Sequence, residues 1–287
     1  MIKIFTYLGQ FVQERIRSAN WHITSRCNYN CKFCFATDIG KELHDHKRQE
    51  EVLRALVDYG VEKLNLVGGE PLLHTDLVRL AQMGHDYGFV MTIQTNGSML
   101  TAEKLDQLSP YLSWVGVSID SGVENIESAL GRGKGDHVEL IRRLCRSVRE
   151  RGIGLKVNTT VTQLNWQEDM NGLIDELSPD RWKVFQTLII QGQNDAAEYL
   201  TVSADQFDGF CGRHRDHVLR GGSSPTFERA EDMVGSYLMI GPRGDIMTNQ
   251  DRKLVHLPLS LLFGESQRKI IDITKYRERG GVYDWRR

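Results

Sequence analysis

No stretch of this chain approaches the roughly 20 consecutive apolar residues that cross a bilayer, so a membrane span is not expected. Charges are scattered through Met1 to Asn20, which leaves no signal-peptide core there. Net charge is also missing: at −2 the protein offers no broad basic field, so nucleic acid is not an expected partner and any basic site must be local. Cysteine is scarce and odd in number, five residues, which argues against a disulfide framework and for a reducing, cytoplasmic setting. Internal repeats and low-complexity segments are absent as well. What remains is an ordinary globular composition, 40% hydrophobic and 26% charged, in 287 residues, a length typical of one (β/α) barrel.

The cysteines that are present are concentrated. Cys27-Asn28-Tyr29-Asn30-Cys31-Lys32-Phe33-Cys34 places three thiols within eight residues, while Cys145 and Cys211 lie far away. A 4Fe-4S cluster is normally held by four thiolates, so three from one loop would leave one iron open for a ligand. The alternative is a zinc knot, which would need a fourth ligand from His22, His44 or His46, all at awkward spacing. Cys145 falls on the apolar stripe of a helix and Cys211 has no neighbouring thiol, so neither suggests a second cluster.

From Asn20 onward short strand-like runs alternate with helical patterns, the pattern of βα units around a parallel sheet. The strands expected are Trp21–Thr24, Lys63–Val67, Val90–Thr95, Trp114–Ile119, Leu155–Val161 and Lys183–Ile190. Between them, Val52, Leu53, Leu56 and Val57 form one helical stripe, and Val138, Ile141, Cys145 and Val148 another. Gly60 and Gly152 stop helices; Thr101 and Asp136 open them, the latter with the spacing to Glu139 of a capping box. The spacing therefore predicts an α/β fold, a partial (β/α)6 TIM-type barrel over residues 20–190. Residues 1–19 form an N-terminal segment, read as an amphipathic helix on Ile4, Phe5, Leu8, Phe11, Val12 and Ile16. Residues 191–287 form an extension with a hairpin at Gly241-Pro242-Arg243-Gly244, covering the open side.

Side chains alternate along a strand, so Lys63, Asn65 and Val67 share a face opposite Leu64 and Leu66. By the same rule Lys156, Asn158 and Thr160 oppose Leu155 and Val157, and Arg181, Lys183 and Phe185 oppose Trp182 and Val184. If the apolar faces meet the outer helices, Lys63, Lys156, Arg181 and Lys183 point into one lumen, and unpaired buried cations call for a bound polyanion. The competing reading pairs them with Glu62, Asp120 or Asp180, or lets them snorkel out. Gly68-Gly69-Glu70-Pro71 ends the second strand at the rim where barrel active sites lie, with glycines that admit a ligand close to the backbone.

Cys-x3-Cys-x2-Cys with an aromatic before the third Cys resembles the cluster loop of radical S-adenosylmethionine (SAM) enzymes. The wider text resembles their viperin-like group: Asn65-Leu66-Val67-Gly68-Gly69-Glu70-Pro71, Asn96-Gly97-Ser98, Gly131-Arg132-Gly133, Arg181-Trp182-Lys183-Val184-Phe185-Gln186 and Ser236-Tyr237-Leu238. That resemblance implies one 4Fe-4S cluster on Cys27, Cys31 and Cys34 and SAM on its open iron, yielding a radical that abstracts hydrogen from the substrate. It also implies SAM contacts from Gly68, Gly69, Glu70, Asn96 and Ser118, an adenine contact from Phe35, and a SAM-carboxylate or phosphate contact from Arg132. Lys63, Lys156, Arg181 and Lys183 match positions that hold a nucleoside triphosphate, Asn20 and Asn158 polar positions near it, and Tyr237 the proposed electron or hydrogen donor.

The implied reaction is dehydration of CTP, with UTP or GTP possible, to the 3'-deoxy-3',4'-didehydro nucleotide, an antiviral chain terminator. Implied partners are an electron donor such as flavodoxin or ferredoxin and the iron-sulfur assembly machinery. Three departures stand out: Val67 where the group has Ser, Gln191 and Gln193 where it has Glu, and Trp285 followed by two arginines instead of ending the chain. The first two are expected on the substrate side. Another radical SAM chemistry on an anionic substrate, or an iron-sulfur sensor without activity, are the alternatives. Only the lone Cys211 follows the barrel, which argues against auxiliary clusters.

Overall fold

In the computed structural model, which describes residues 16–263, 270–281 and 283–285, the strands join into one sheet. They are β1 (Ser18–Thr24), β2 (Lys63–Gly68), β3 (Val90–Thr95), β4 (Trp114–Ser118), β5 (Gly154–Val161), β6 (Arg181–Gln186), β7 (Thr226–Glu228), β8 (Leu238–Ile240), β9 (Ile246–Thr248) and β10 (Val255–Leu257). The sheet order is β10-β9-β8-β1-β2-β3-β4-β5-β6-β7. Strands β1 to β6 are parallel neighbours in chain order, the arrangement that βα repetition predicts. Helices α1 (His46–Tyr59), α2 (Leu77–Asp86), α3 (Ala102–Leu108), α4 (Glu124–Ala129), α5 (His137–Glu150) and α6 (Asn171–Leu177) make the crossovers. Helices α7 (Ala204–His214), α8 (Ala230–Met233) and α9 (Ile273–Glu278) belong to the later part.

Residues beyond 190 share this sheet. Strand β7 lies parallel to β6 on one edge, β8 lies parallel to β1 on the other, and β8, β9 and β10 continue as antiparallel pairs through the hairpin at Gly241 to Gly244. The order ends at β7 and β10, so the described strands form an open sheet. The expected helix at Ile4 to Val12 lies outside the described residues; Ile16, at its end, is buried.

Alternation sorts the side chains as the pattern requires. Leu64, Leu66, Val115, Val117, Leu155, Val157, Trp182 and Val184 are fully buried in the core on the helix side. Each such side chain contributes about 1.5–3 kcal/mol of burial. Helix α1 starts where Asp45 accepts from the Lys47 and Arg48 amides and stops at Gly60, whose φ of 96° suits a residue without Cβ. Its stripe is Val52, Leu53 and Leu56; Val57, expected among them, is 38% exposed because it lies one step too far round the helix. Thr101 caps α3 through the Lys104 amide.

Two local expectations are corrected. Asp136 makes no side-chain cap for α5; the carboxylate of Glu124 accepts from the amides of His137, Val138 and Glu139 in its place. The sixth strand, expected over Lys183–Ile190, runs Arg181–Gln186, and beyond it Asn194 accepts from the Ile190 amide and turns the chain away.

Candidate active site

The inward faces of β1 to β6 enclose a cavity of about 370 Å³. Because these strands are parallel, their carboxyl ends and loops lie at one end of it and the strand starts at the other. At the loop end stand Cys27, Cys31, Cys34, Phe35, Gly68, Gly69, Asn96, Ser118 and Arg132. Asn20, Lys63, Lys156, Asn158, Lys183 and Tyr237 line the remainder. Residues widely separated in sequence therefore meet in one space, as alternation and the loop motifs predict.

Backbone pairing between distant segments builds the cysteine loop. Asn30 and Lys32 donate their amides to the carbonyls of Gly131 and Leu130, at 3.3 and 2.9 Å. A Cβ on Gly131 would come within 2.0 Å of the Asn30 carbonyl oxygen, and φ there is 85°, so this glycine lets the loop dock on the end of α4. Burial pushes all three thiols up, Cys31 to about 12, so thiolates form there only with a compensating cation such as a metal. No trio of ligand atoms among the described residues that includes a thiol gathers within 4.8 Å, whereas Glu42, His44 and His74 do. Convergence of that kind is what a single zinc ion needs, and the described thiols do not show it with His22, His44 or His46. Thiols spread along a loop on an open cavity suit a larger cluster, and Cys27, Cys31 and Cys34 fit one. Cys145 and Cys211 are buried in the core elsewhere.

Two expected cofactor contacts behave differently. Glu70 is fully buried and does not line the cavity. Its carboxylate accepts from the Leu72 amide, the Thr95 hydroxyl at 2.7 Å and the Asn96 amide at 2.8 Å, so it shapes the turn that presents Asn96. Asn96 in turn donates to Asn28 in the cysteine loop at 2.9 Å. Arg132 lines the cavity but is anchored by Asp120 at 2.8 Å and Glu127 at 3.4 Å.

Deeper along the strands the lining is polar and then cationic. Asn65 donates to Asn20 at 3.1 Å and accepts from Thr92, while Gln94 donates to Ser118 at 3.1 Å. Gly116 leaves the room that Gln94 and Lys156 occupy: a Cβ there would lie 2.1 Å from the Gln94 Oε1 and 2.8 Å from the Lys156 Cε. Below come Lys63, Lys156 and Lys183, with Arg181 behind them. Burial is the main force lowering the pKa of each; repulsion from neighbouring cations of the group adds to it at the three lysines, and repulsion from Arg279 at Arg181. Lys156 is pushed down to about 7, Lys183 to about 8, and Lys63 goes well below its ordinary value. A lumen of this kind is built to receive negative charge.

The carboxylates expected as internal partners are engaged elsewhere. Glu62 pairs with Arg17 at 2.6 Å, Asp120 with Arg132, and Asp180 caps the Leu155 amide at 2.9 Å. Among the described residues the carboxylate that does reach the cations is Glu228, ion-paired with Lys183 and 3.7 Å from Arg279. Sequence reading missed it, since a three-residue strand carries too little alternation to read. Arg279 and Tyr283 were missed too. Arg279 lines the cavity and stacks 3.4 Å over the Tyr237 ring; Tyr283 accepts from Lys63 and lies 3.6 Å beneath the Arg181 guanidinium. Arg181 itself does not line the cavity, because Tyr283 stands in front of it. Arg-Gly-Gly at 279–281 was the one available signal.

The departures are also placed. Val67 lines the cavity, whereas Gln193 bonds the backbone of Asp38 and neither it nor Gln191 lines it, which corrects the expectation that they face the substrate. Trp285 is buried; its carbonyl accepts from the Trp114 indole at 3.0 Å.

The radical SAM superfamily profile matches residues 21–176. An S-adenosylmethionine-dependent nucleotide dehydratase of Thermoplasmatales archaeon (strain ISO4-H5) is 34% identical over 95% of this chain and 97% of its own. One from Flammeovirga pacifica is 33% identical over 94% and 97%. Among solved structures, Streptococcus suis SuiB bound to S-adenosylmethionine superposes with a TM-score of 0.66 at 17% identity, over 94% of this chain and 69% of its own. For anSMEcpe with bound AdoMet the score is 0.67 at 14% identity, over 88% and 82%. At these identities the two structures bear on the fold, a partial barrel, alone.

Proposed function

The chain belongs to the radical SAM superfamily, whose enzymes use a 4Fe-4S cluster and SAM, and we propose that it dehydrates a nucleoside triphosphate. In this reading CTP is the first candidate, with UTP or GTP as alternatives, and the product is the 3'-deoxy-3',4'-didehydro analogue, an antiviral chain terminator. The observation that carries it is the cationic tier of Lys63, Lys156 and Lys183 in the same cavity as the three-cysteine loop. The names of the relatives supply the reaction class.

Cys27, Cys31 and Cys34 would hold the cluster, and Phe35, Gly68, Gly69, Asn96 and Ser118 would bind SAM. Glu70 and Arg132 fix that end, the one through Asn96 and the other through its own ion pairs. When bound, cluster and SAM supply the one-electron chemistry that removes a hydrogen atom from an unactivated carbon. The protein's own part is positioning. Lys63, Lys156 and Lys183 anchor the phosphates by charge-assisted hydrogen bonds, and Arg181 holds Tyr283 at the floor. Asn20 and Asn158 border the space between anchor and cofactor, where the sugar would lie. Tyr237, beside Lys183, is the proposed donor that quenches the substrate radical.

Residues 191–287 act as the extension that completes the substrate site. A reducing cytoplasm, a flavodoxin or ferredoxin donor and the iron-sulfur assembly machinery belong to the same reading. The test is incubation of reconstituted enzyme with SAM, reductant and each of the four nucleoside triphosphates. One of them should yield a product lighter by one water, and deuterium at its C4' should appear in 5'-deoxyadenosine. Transfer from C3' or C5' would refute the assignment.

A further inference from the structure

Glu228 ends β7 under the cavity and touches three groups that line it, although it does not line the cavity itself. One carboxylate oxygen accepts from the phenolic O–H of Tyr237; the other is ion-paired with Lys183 and lies 3.7 Å from an Arg279 nitrogen. Arg279 also stacks on the Tyr237 ring, 3.4 Å from its centroid. Burial opposes charge on Glu228, but Lys183 and Arg279 hold it below its ordinary pKa, as a carboxylate. The Tyr237 phenol, by contrast, is held well above its ordinary pKa by burial and so does not ionise by itself.

A phenol that has lost an electron becomes a strong acid and releases its proton along whatever hydrogen bond it already makes. Here that bond leads to Glu228 and away from the cavity. The guanidinium on the ring disfavours a protonated phenol radical, so the electron can leave only together with the proton. We propose that Glu228 is the proton acceptor for Tyr237, so that the phenol passes an electron to the substrate while its proton crosses to the buried carboxylate. This rests on the nucleotide dehydratase reading above.

The step balances. Removing a hydrogen atom from one carbon and hydroxide from its neighbour leaves the nucleotide one electron short of a closed-shell alkene. Tyr237 supplies that electron; its O–H bond breaks and an O–H bond forms on Glu228. The hydroxide takes a proton from the ammonium groups of the cavity and leaves as water. A one-electron donor of the flavodoxin or ferredoxin class then reduces the tyrosyl radical, which recovers its proton from Glu228. Handing a hydrogen atom directly to the substrate would require the hydroxyl to break its bond to Glu228 and turn into the cavity.

The experiment measures dehydrated nucleotide formed per 5'-deoxyadenosine in reconstituted enzyme, in H₂O and in D₂O. Glu228→Gln is expected to lower that ratio by about a hundredfold or more and to abolish its D₂O sensitivity, the scale of a lost proton acceptor. Tyr237→Phe should do the same, the double variant should fall no lower than Tyr237→Phe alone, and Glu228→Asp should restore part of the ratio. Calorimetric nucleotide affinity in the same proteins separates a merely structural role, which would move affinity through Lys183 and Arg279 and leave the ratio unchanged. Outside turnover, the Tyr237 phenol, read as the ultraviolet difference against Tyr237→Phe, should ionise at lower pH once the carboxylate is neutralised. A wild-type ratio and wild-type D₂O effect in Glu228→Gln would overturn the proposal. If wild-type enzyme makes no nucleotide-dependent 5'-deoxyadenosine, the dehydratase reading falls and this inference falls with it.

Discussion

Lys156 extends into the lumen over Gly116, with repulsion from Lys183 and Arg181 and with Glu228 in opposition. Its pKa of about 7, against the ordinary 10.5, means that an unfolded chain binds more protons than the folded one between those values. Stability of the ligand-free protein should therefore rise with pH across that window. Nucleotide binding has the opposite sign, since a phosphate favours the ammonium form. At pH 8 binding should take up protons, seen as a dependence of calorimetric heat on the ionisation enthalpy of the buffer. Lys156→Met should remove much of that uptake and weaken binding by about ten- to a hundredfold, the worth of one charge-assisted hydrogen bond. The same variant should stabilise the ligand-free protein by about 1–4 kcal/mol, because an apolar chain of similar size replaces an amine whose charged form burial and the neighbouring cations disfavour. Loss of stability in Lys156→Met would count against a cation held in readiness for a ligand.

At the scale of elements, the cysteine loop is ordered by its neighbour as much as by its own sequence. It docks on the turn after α4 through Gly131, and Arg132 beside that turn is locked by Asp120 and Glu127. Gly131→Ala should therefore reduce cluster loading although it removes no ligand, as measured by iron content and visible absorbance after reconstitution. Cys31→Ala should abolish loading, and Cys145→Ala should leave it intact. Equal loading in Gly131→Ala and wild type would mean that the loop does not depend on this contact.

At the scale of the whole molecule, the segment after α9 closes the cationic end. Arg279 stacks on Tyr237, Tyr283 receives Lys63 and underlies Arg181, and Trp285 is buried against Trp114 and Arg17. Removing residues 279–287 should weaken nucleotide binding by at least about tenfold while sparing cluster assembly and SAM binding, which depend on the opposite end of the strands. Equilibrium binding of nucleotide and of SAM to the shortened, reconstituted protein reads both effects. Unchanged nucleotide affinity would show that the tail only fills space.

What the sequence determined by itself is what depends on short-range order. Hydrophobic alternation named the inward residues Lys63, Asn65, Lys156, Asn158 and Lys183 because in a strand the side-chain period is two whatever the surroundings. Local spacing likewise marked the three thiols of one loop and the caps at Thr101 and Gly60. Only the tertiary structure decided which charges meet. Glu228 reaches the lumen cations from a three-residue strand, and Arg279 and Tyr283 line the cavity from the segment after α9, where so few residues carry no readable period. Glu124 caps a helix it does not belong to, and Glu70 turns from ligand contact to buried support. Electrostatic pairing falls off with distance in space and has no period in sequence, so the partner of each lumen cation became visible only once the sheet had brought its strands side by side.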